Sequence, residues 1–316
     1  MFSLPILTAL FTLVASTPHP SSLKWDVYLQ PSVPVVSPPG LPSNLSFSPT
    51  AFTLVHSAHH AILIDAPVTF ATTEKLADWI KTKIQGKKLT HIYITHGHGD
   101  HFFGLPILQQ KFPGVKAVTT QQTIDHMNQQ LFPDVFASFW DSLFPGAIPI
   151  PTNRTEVIDA LPENGIFYID DTEKKHVVQA VKVGQTDTYN TTILHIPSLD
   201  MVVTGDAVYG SCFQYLVDTN TTALRSQWLS ALDEIEGLKP KIVVPSHMQE
   251  GDGFGPNHLK DTRGYIDNWE READRVGKKG GAKGREELVE RVRKQYPERI
   301  GDFILEVSVQ EVFTQN

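Results

Sequence analysis

The chain has a single cysteine, Cys212, in 316 residues. That excludes an internal disulfide framework and any zinc ribbon built on paired CxxC knuckles. An excess of basic charge is also missing: 27 Lys and Arg against 35 Asp and Glu leave a net charge of −8, which offers a nucleic acid no electrostatic footprint. No apolar run reaches the ~20 residues a membrane-spanning helix needs. Internal repeats are absent, as is a Gly-x-Ser-x-Gly nucleophile elbow. With 41% hydrophobic residues, a chain of this length can bury a full core without covalent staples.

The N-terminus reads as an address. Residues 4–15, LPILTALFTLVA, have the length of a signal-peptide core, and Ala15 and Ser16 supply a small-residue cleavage point, so residues 1–16 are expected to be a signal peptide. Four sequons, at Asn44, Asn153, Asn190 and Asn220, are more than chance gives at this composition and predict a secreted glycoprotein.

Beyond a Pro/Ser-rich segment at 17–49, which holds a short strand candidate from Trp25 to Leu29, residues 50–256 alternate between strand and helix patterns. Phe52–His56 and Ala61–Asp65 are spaced as a hairpin. Leu76, Ile80 and Ile84 then recur at helical spacing before Gly86. Further strands are expected at 91–95 and 115–119, several between 166 and 206, and a last one at 241–245. The charged stretch 257–316 predicts a helical extension packed on the same domain, and the Gly/Lys-rich stretch after Gly277 a solvated turn within it.

Chemistry is concentrated after the strand at 91–95, where His96-Gly-His98-Gly-Asp100-His101 follows directly. In extended or turn geometry residues two apart project to one side, so His96 and His98 can grip one cation. Asp100 and His101 follow as the chain turns and can reach a second. The interleaved glycines let the backbone fold closely around the ions. Imidazole with carboxylate suits Zn²⁺, with Fe or Mn as alternatives.

This element resembles the signature of the metallo-β-lactamase-fold hydrolases, and the resemblance covers about residues 50–250. It implies an α/β protein, an αβ/βα sandwich with a dinuclear site at one edge of the paired sheets. Gly205-Asp206 after a strand looks like the element whose aspartate bridges the two metals, and Ser246-His247 like the final strand whose histidine binds the second. Asp100, His101, Asp206 and His247 would then form the second site. In Val183-Gly184-Gln185-Thr186, Gln185 stands where the family carries the third histidine of the first site. Gln185 could bind the first metal through its oxygen, hold a water on it, or leave that site empty.

The mechanism implied is hydrolysis by zinc-activated water, with Asp100 also relaying a proton. Tyr209, three residues after Asp206, could donate to an oxyanion. Phe102, Phe103, Phe132, Phe136, Phe139, Trp140 and Phe144 suggest an apolar small-molecule substrate, a cyclic amide or ester of the lactam or lactone type. Rival expectations are a sulfur dioxygenase-like oxidoreductase with one iron, and a non-catalytic binding protein on the same fold. Neither nucleic acid nor membrane is expected as a partner. His176 and His195 are expected to be packed or exposed rather than ligands; His56, His59 and His60 could line the cleft.

Overall fold

Two stretches of strand pattern become two sheets. The computed structural model describes residues 23–149, 158–170, 174–277 and 281–314. The signal segment and the Asn153 sequon lie outside the described residues.

The first sheet is built from β1 (Lys24–Gln30), β4 (Thr50–His56), β5 (His60–Ile64), β6 (Lys88–Tyr93), β7 (Lys116–Thr119) and β8 (Asp159–Ala160), in that order. The second has five strands: β9 (Ile166–Asp170), β10 (Lys175–Gly184), β11 (Thr191–Ile196), β12 (Met201–Gly205) and β13 (Ile242–Pro245), laid side by side in reverse. A two-residue pair, β2 (Val33–Pro34) with β3 (Ser46–Phe47), lies apart from both. The 17–49 segment therefore supplies an edge strand, since β1 pairs antiparallel with β4 along its whole length.

Period-two alternation decides the layers. Val55, Ile62, Ile64 and Tyr93 of the first sheet meet Val178, Leu194, Ile196, Val203 and Val244 of the second in one apolar cluster between the sheets. The intervening residues face outward. Leu54, Leu63, Ile92 and Ile94 pack under α1 (Phe70–Ile84) and α2 (Leu105–Lys111). Ile193, Val202 and Val243 pack under α5 (Thr222–Gly237) and α6 (Asn257–Gly277). The result is the helix–sheet–sheet–helix sandwich. Helix α1 starts at Phe70, six residues before the first of its periodic apolar positions at Leu76, because Thr69 and Thr72 form a reciprocal cap. The stretch 121–141 divides into α3 (Gln121–Gln130), a short α4 (Pro133–Val135) and a wide π-helical turn at Phe136–Asp141.

The C-terminal stretch comprises α6, α7 (Gly281–Gln295) and α8 (Asp302–Thr314). Leu259, Tyr265, Trp269, Leu288 and Leu305 share the cluster that covers the second sheet. Phe303 and Ile304, also on α8, belong to the cluster of the first sheet beside Phe47, so this helix spans both halves. Strands β5 and β6, and likewise β12 and β13, are parallel neighbours. Their carboxyl ends lie at one edge, where a parallel sheet presents its loops to a ligand.

Candidate metal centre

Four strand ends deliver the charged groups. Asp65 follows β5, His96 to His101 follow β6, Asp206 follows β12 and His247 follows β13, while the turn between β10 and β11 adds Asp187. Two glycines make this convergence possible. A Cβ on Gly97 would lie 2.4 Å from the His126 ring, and one on Gly205, at φ +54°, would lie 2.5 Å from Thr95 Oγ1.

The side chains form two adjoining groups, all buried. In one, His101 Nε2 lies 3.2 Å from Asp100 Oδ2 and 3.3 Å from Asp206 Oδ1. His247 Nε2 lies 3.4 Å from Asp100 Oδ2 and 3.1 Å from Asp206 Oδ2. In the other, His98 Nδ1 is 3.3 Å from His96 Nε2 and 3.1 Å from Asp187 Oδ2, with Asp206 again in reach. Asp206 thus touches both groups.

The outward nitrogen of each ring is held. His101 Nδ1 faces Asp65 Oδ2 at 3.0 Å, and His247 Nδ1 faces the Pro49 carbonyl at 2.9 Å. His96 Nδ1 faces Thr95 Oγ1 at 3.0 Å, and His98 Nε2 faces Asp218 Oδ2 at 3.2 Å. A neutral ring donating on that side presents a lone pair on the other, which is how proteins orient metal-ligating histidines. Asp65 also accepts from the Thr95 amide and hydroxyl, at 2.8 and 2.9 Å.

Do these residues fit a cation? Asp100 Oδ2, His101 Nε2, Asp187 Oδ2 and Asp206 Oδ1 are buried polar atoms with no hydrogen-bond partner. They face their neighbours across a few ångströms without bonding to them. Buried carboxylate oxygens left unpaired are costly, and divalent cations held in the two groups would satisfy all four. The donor set, imidazole nitrogen with carboxylate oxygen, is one that zinc, iron and manganese accept.

The electrostatics point the same way. Burial disfavours charge on His98, yet Asp187 and Asp218 override it and push the imidazole up to about 10. Burial likewise opposes charge on His247, which Asp206 and Asp100 push up to about 10. Although burial would raise Asp100 and Asp206, the neighbouring His101 and His247 hold both below the usual carboxylate range. A field that retains protons on imidazoles also attracts a metal ion, in competition with those protons.

Two residues expected at the site bond to protein partners beside it. Gln185 Nε2 donates to the carbonyls of Thr186 and Asp218 and to Thr219 Oγ1, at 3.0–3.3 Å. Asp187, two residues on, brings its carboxylate to His96 and His98 instead. Tyr209 reaches the site, but its hydroxyl donates to Asp206 Oδ2 at 2.9 Å and its ring stacks on His247. A phenol has one proton to give, so here it braces the carboxylate common to both groups.

Other expected residues lie elsewhere. His56 faces Asp26 and Lys87, and His60 faces Asp170 at the opposite end of β5 from Asp65. His176 approaches the same Asp170, and His195 is half-buried on β11. Missed in the sequence were Asp65, visible only as the polar residue ending a strand, and His126 and Asp218, which carry no local signal. His126 packs at a tilt against Tyr189 and contacts His98.

Above the cluster lies a pocket of about 180 Å³. Phe139 and Trp140 from the π-helical turn, with Phe47 and Ile304, form its apolar wall; Gln130, Tyr215 and Asp218 add polar groups. Phe102 and Phe103 are core, while Phe132 is exposed.

A four-layer sandwich with a histidine–aspartate centre at the ends of its parallel strands defines a class, the metal-dependent hydrolases of the αβ/βα type. The profile of the metallo-beta-lactamase superfamily matches residues 46–247, and the chain belongs to that superfamily. A metallo-beta-lactamase type 2 from Bacteroides fragilis is 26% identical over 225 residues, covering 68% of this chain and 74% of its own. Among solved structures, a metallo-beta-lactamase from Pontibacter korlensis superposes with a TM-score of 0.53 at 20% identity, over 78% of this chain and 99% of that one. The enzyme FIM-1 from Pseudomonas aeruginosa, in its mono-zinc form, gives 0.52 at 14% identity, over 78% and 92%. At these identities the solved structures share the fold; superfamily membership makes the chain a metal-dependent hydrolase in general terms.

Proposed function

We propose that the protein is a zinc-dependent hydrolase of small, uncharged esters or amides of the lactone or lactam type. The observation that carries this reading is the set of partnerless buried atoms, Asp100 Oδ2, His101 Nε2, Asp187 Oδ2 and Asp206 Oδ1, of which Asp100 and Asp206 also line a pocket with an apolar wall. When bound there, a divalent cation supplies a Lewis acid for a carbonyl oxygen and acidifies a water. Asp100, lining the pocket, is the group to accept the proton of an attacking water at its carboxylate. Asp65 keeps His101 in one orientation, and Tyr209 does the same for Asp206.

Two features support the choice of substrate. The pocket, at about 180 Å³, is smaller than the ~300–1,000 Å³ of sites for drug-sized ligands. Among the described residues that line it there is no lysine or arginine, while Asp218 contributes negative charge. A substrate bearing a carboxylate therefore finds no lysine or arginine there to pair with.

Zinc-loaded protein should hydrolyse p-nitrophenyl acetate and γ-butyrolactone, with activity abolished by EDTA and restored by zinc. A chromogenic cephalosporin, which carries a carboxylate, should be turned over poorly. Preference for the cephalosporin would reject the uncharged class; a zinc-loaded protein inert to all three would reject the hydrolase. Secretion as a glycoprotein is proposed alongside, supported by the exposure of Asn44. Protein expressed in a eukaryotic secretory host should lose mass on treatment with an N-glycosidase.

A further inference from the structure

We propose that Asp187 is the third protein ligand of the first cation site, completing a donor set of His96, His98, Asp187 and Asp206, and that the protein consequently holds two divalent ions of comparable affinity. The inference rests on the hydrolase reading above only in assuming that a cation is bound at all.

Asp187 is fully buried and comes from a turn with little freedom. The Thr186 amide donates to the Thr188 carbonyl at 2.8 Å, closing a tight bend. Thr219 Oγ1 donates to the Asp187 carbonyl at 3.0 Å. Thr186 Oγ1 donates to one carboxylate oxygen, Asp187 Oδ1, at 2.9 Å. The other, Oδ2, is the buried atom with no hydrogen-bond partner, and it lies 3.1 Å from His98 Nδ1 and 3.9 Å from His96 Nε2. One oxygen is thus anchored and the other aimed at two imidazole nitrogens, the arrangement of a supported carboxylate ligand. Gln185 has no such geometry. Its amide nitrogen donates to the Thr186 carbonyl of its own turn and to the Asp218 carbonyl and Thr219 Oγ1 of the neighbouring loop.

This assignment changes the character of the site. A neutral amide in the third position would give a weaker site than its neighbour. An anionic carboxylate makes the two groups chemically alike, each with two imidazoles and one carboxylate of its own, sharing Asp206. Two such sets should load together rather than in widely separated steps. The added oxygen donor also suits Mn²⁺ and Fe²⁺ better than a third imidazole would.

The test compares wild type with Asp187→Asn and Gln185→Ala, each stripped with EDTA and titrated with zinc or cobalt(II). Metal content by native mass spectrometry and the cobalt absorption spectrum are the readouts. Wild type and Gln185→Ala should bind two ions per chain with the same cobalt spectrum, and Asp187→Asn should bind one, or the second at least tenfold more weakly. Gln185→Ala is informative even if Asp187→Asn fails to fold: loss of an ion or a changed spectrum in that variant would overturn the assignment. So would an Asp187→Asn protein that retains two ions at wild-type affinity. A wild type that binds two ions without hydrolysing any ester or amide would reject the hydrolase and leave this ligand set standing.

Discussion

At the scale of single residues, the groups behind the ligands decide as much as the ligands do. Asp65 is buried and accepts from four donors: the Thr95 amide, the Thr95 hydroxyl, the His101 ring and, at 3.4 Å, the Ser246 hydroxyl. Asp65→Ala leaves His101 free to rotate and should weaken metal binding about 10–100-fold, the usual cost of losing such a support; competition with a chromophoric chelator measures it. Tyr209→Phe gives a sharper contrast. The ring stack on His247 survives, while the bond to Asp206 and a long one accepted from the Tyr215 amide are lost. A fall in kcat of about tenfold is expected with metal content unchanged, against the ~10²–10³ that follows removal of an oxyanion donor.

At the scale of elements, strand β12 must end without a side chain. Gly205 combines φ +54° with a close approach to Thr95 Oγ1, the hydroxyl that bonds Asp65 and faces His96. Gly205→Ala should cost about 1–3 kcal/mol of stability from the backbone conformation alone, read from urea denaturation, and should also lower metal occupancy. Elsewhere, helices α5 and α6 are joined by Arg225 and Glu270. The guanidinium holds the Glu270 carboxyl below its ordinary value of 4.5. A carboxyl depressed in the folded state stabilises fully above its unfolded value and loses that contribution as pH falls through the folded one. Metal-free Glu270→Gln should therefore show a shallower loss of melting temperature than wild type on acidification below pH 4.5, and the two should diverge most above it.

At the scale of the molecule, the centre joins the two halves of the sandwich. His96, His98, Asp100 and His101 come from the first sheet's loops, and Asp187, Asp206 and His247 from those of the second. A cation bound among them stabilises only the assembled fold, by about 2.7 kcal/mol at a hundredfold excess over Kd. EDTA should lower the melting temperature and added zinc should raise it in a concentration-dependent way; a melt indifferent to both would mean that no ion bridges the halves. Helix α8 contributes at this scale too, since Ile304 walls the pocket while Leu305 packs over the second sheet. Among the described residues no helix is long and apolar enough to cross a membrane.

Much of this was legible in the sequence because it is local. His96, His98, Asp100 and His101 are neighbours in the chain, and the β-then-helix alternation that carries them is a matter of side-chain period. Asp206 and His247 could be placed only through the family resemblance, which implies ligands at the ends of those strand patterns. What only the tertiary structure decided is which polar residue of a turn points inward. Gln185 and Asp187 differ by two positions, and the bend closed by Thr186 and Thr188 selects the second. The roles of Asp65, Asp218 and Tyr209 depend on atoms supplied by other strands and loops, at distances of a hydrogen bond rather than of a sequence interval. Periodicity records which face of an element is buried, but the direction of one carboxylate inside a site is set by the partners that surround it in space.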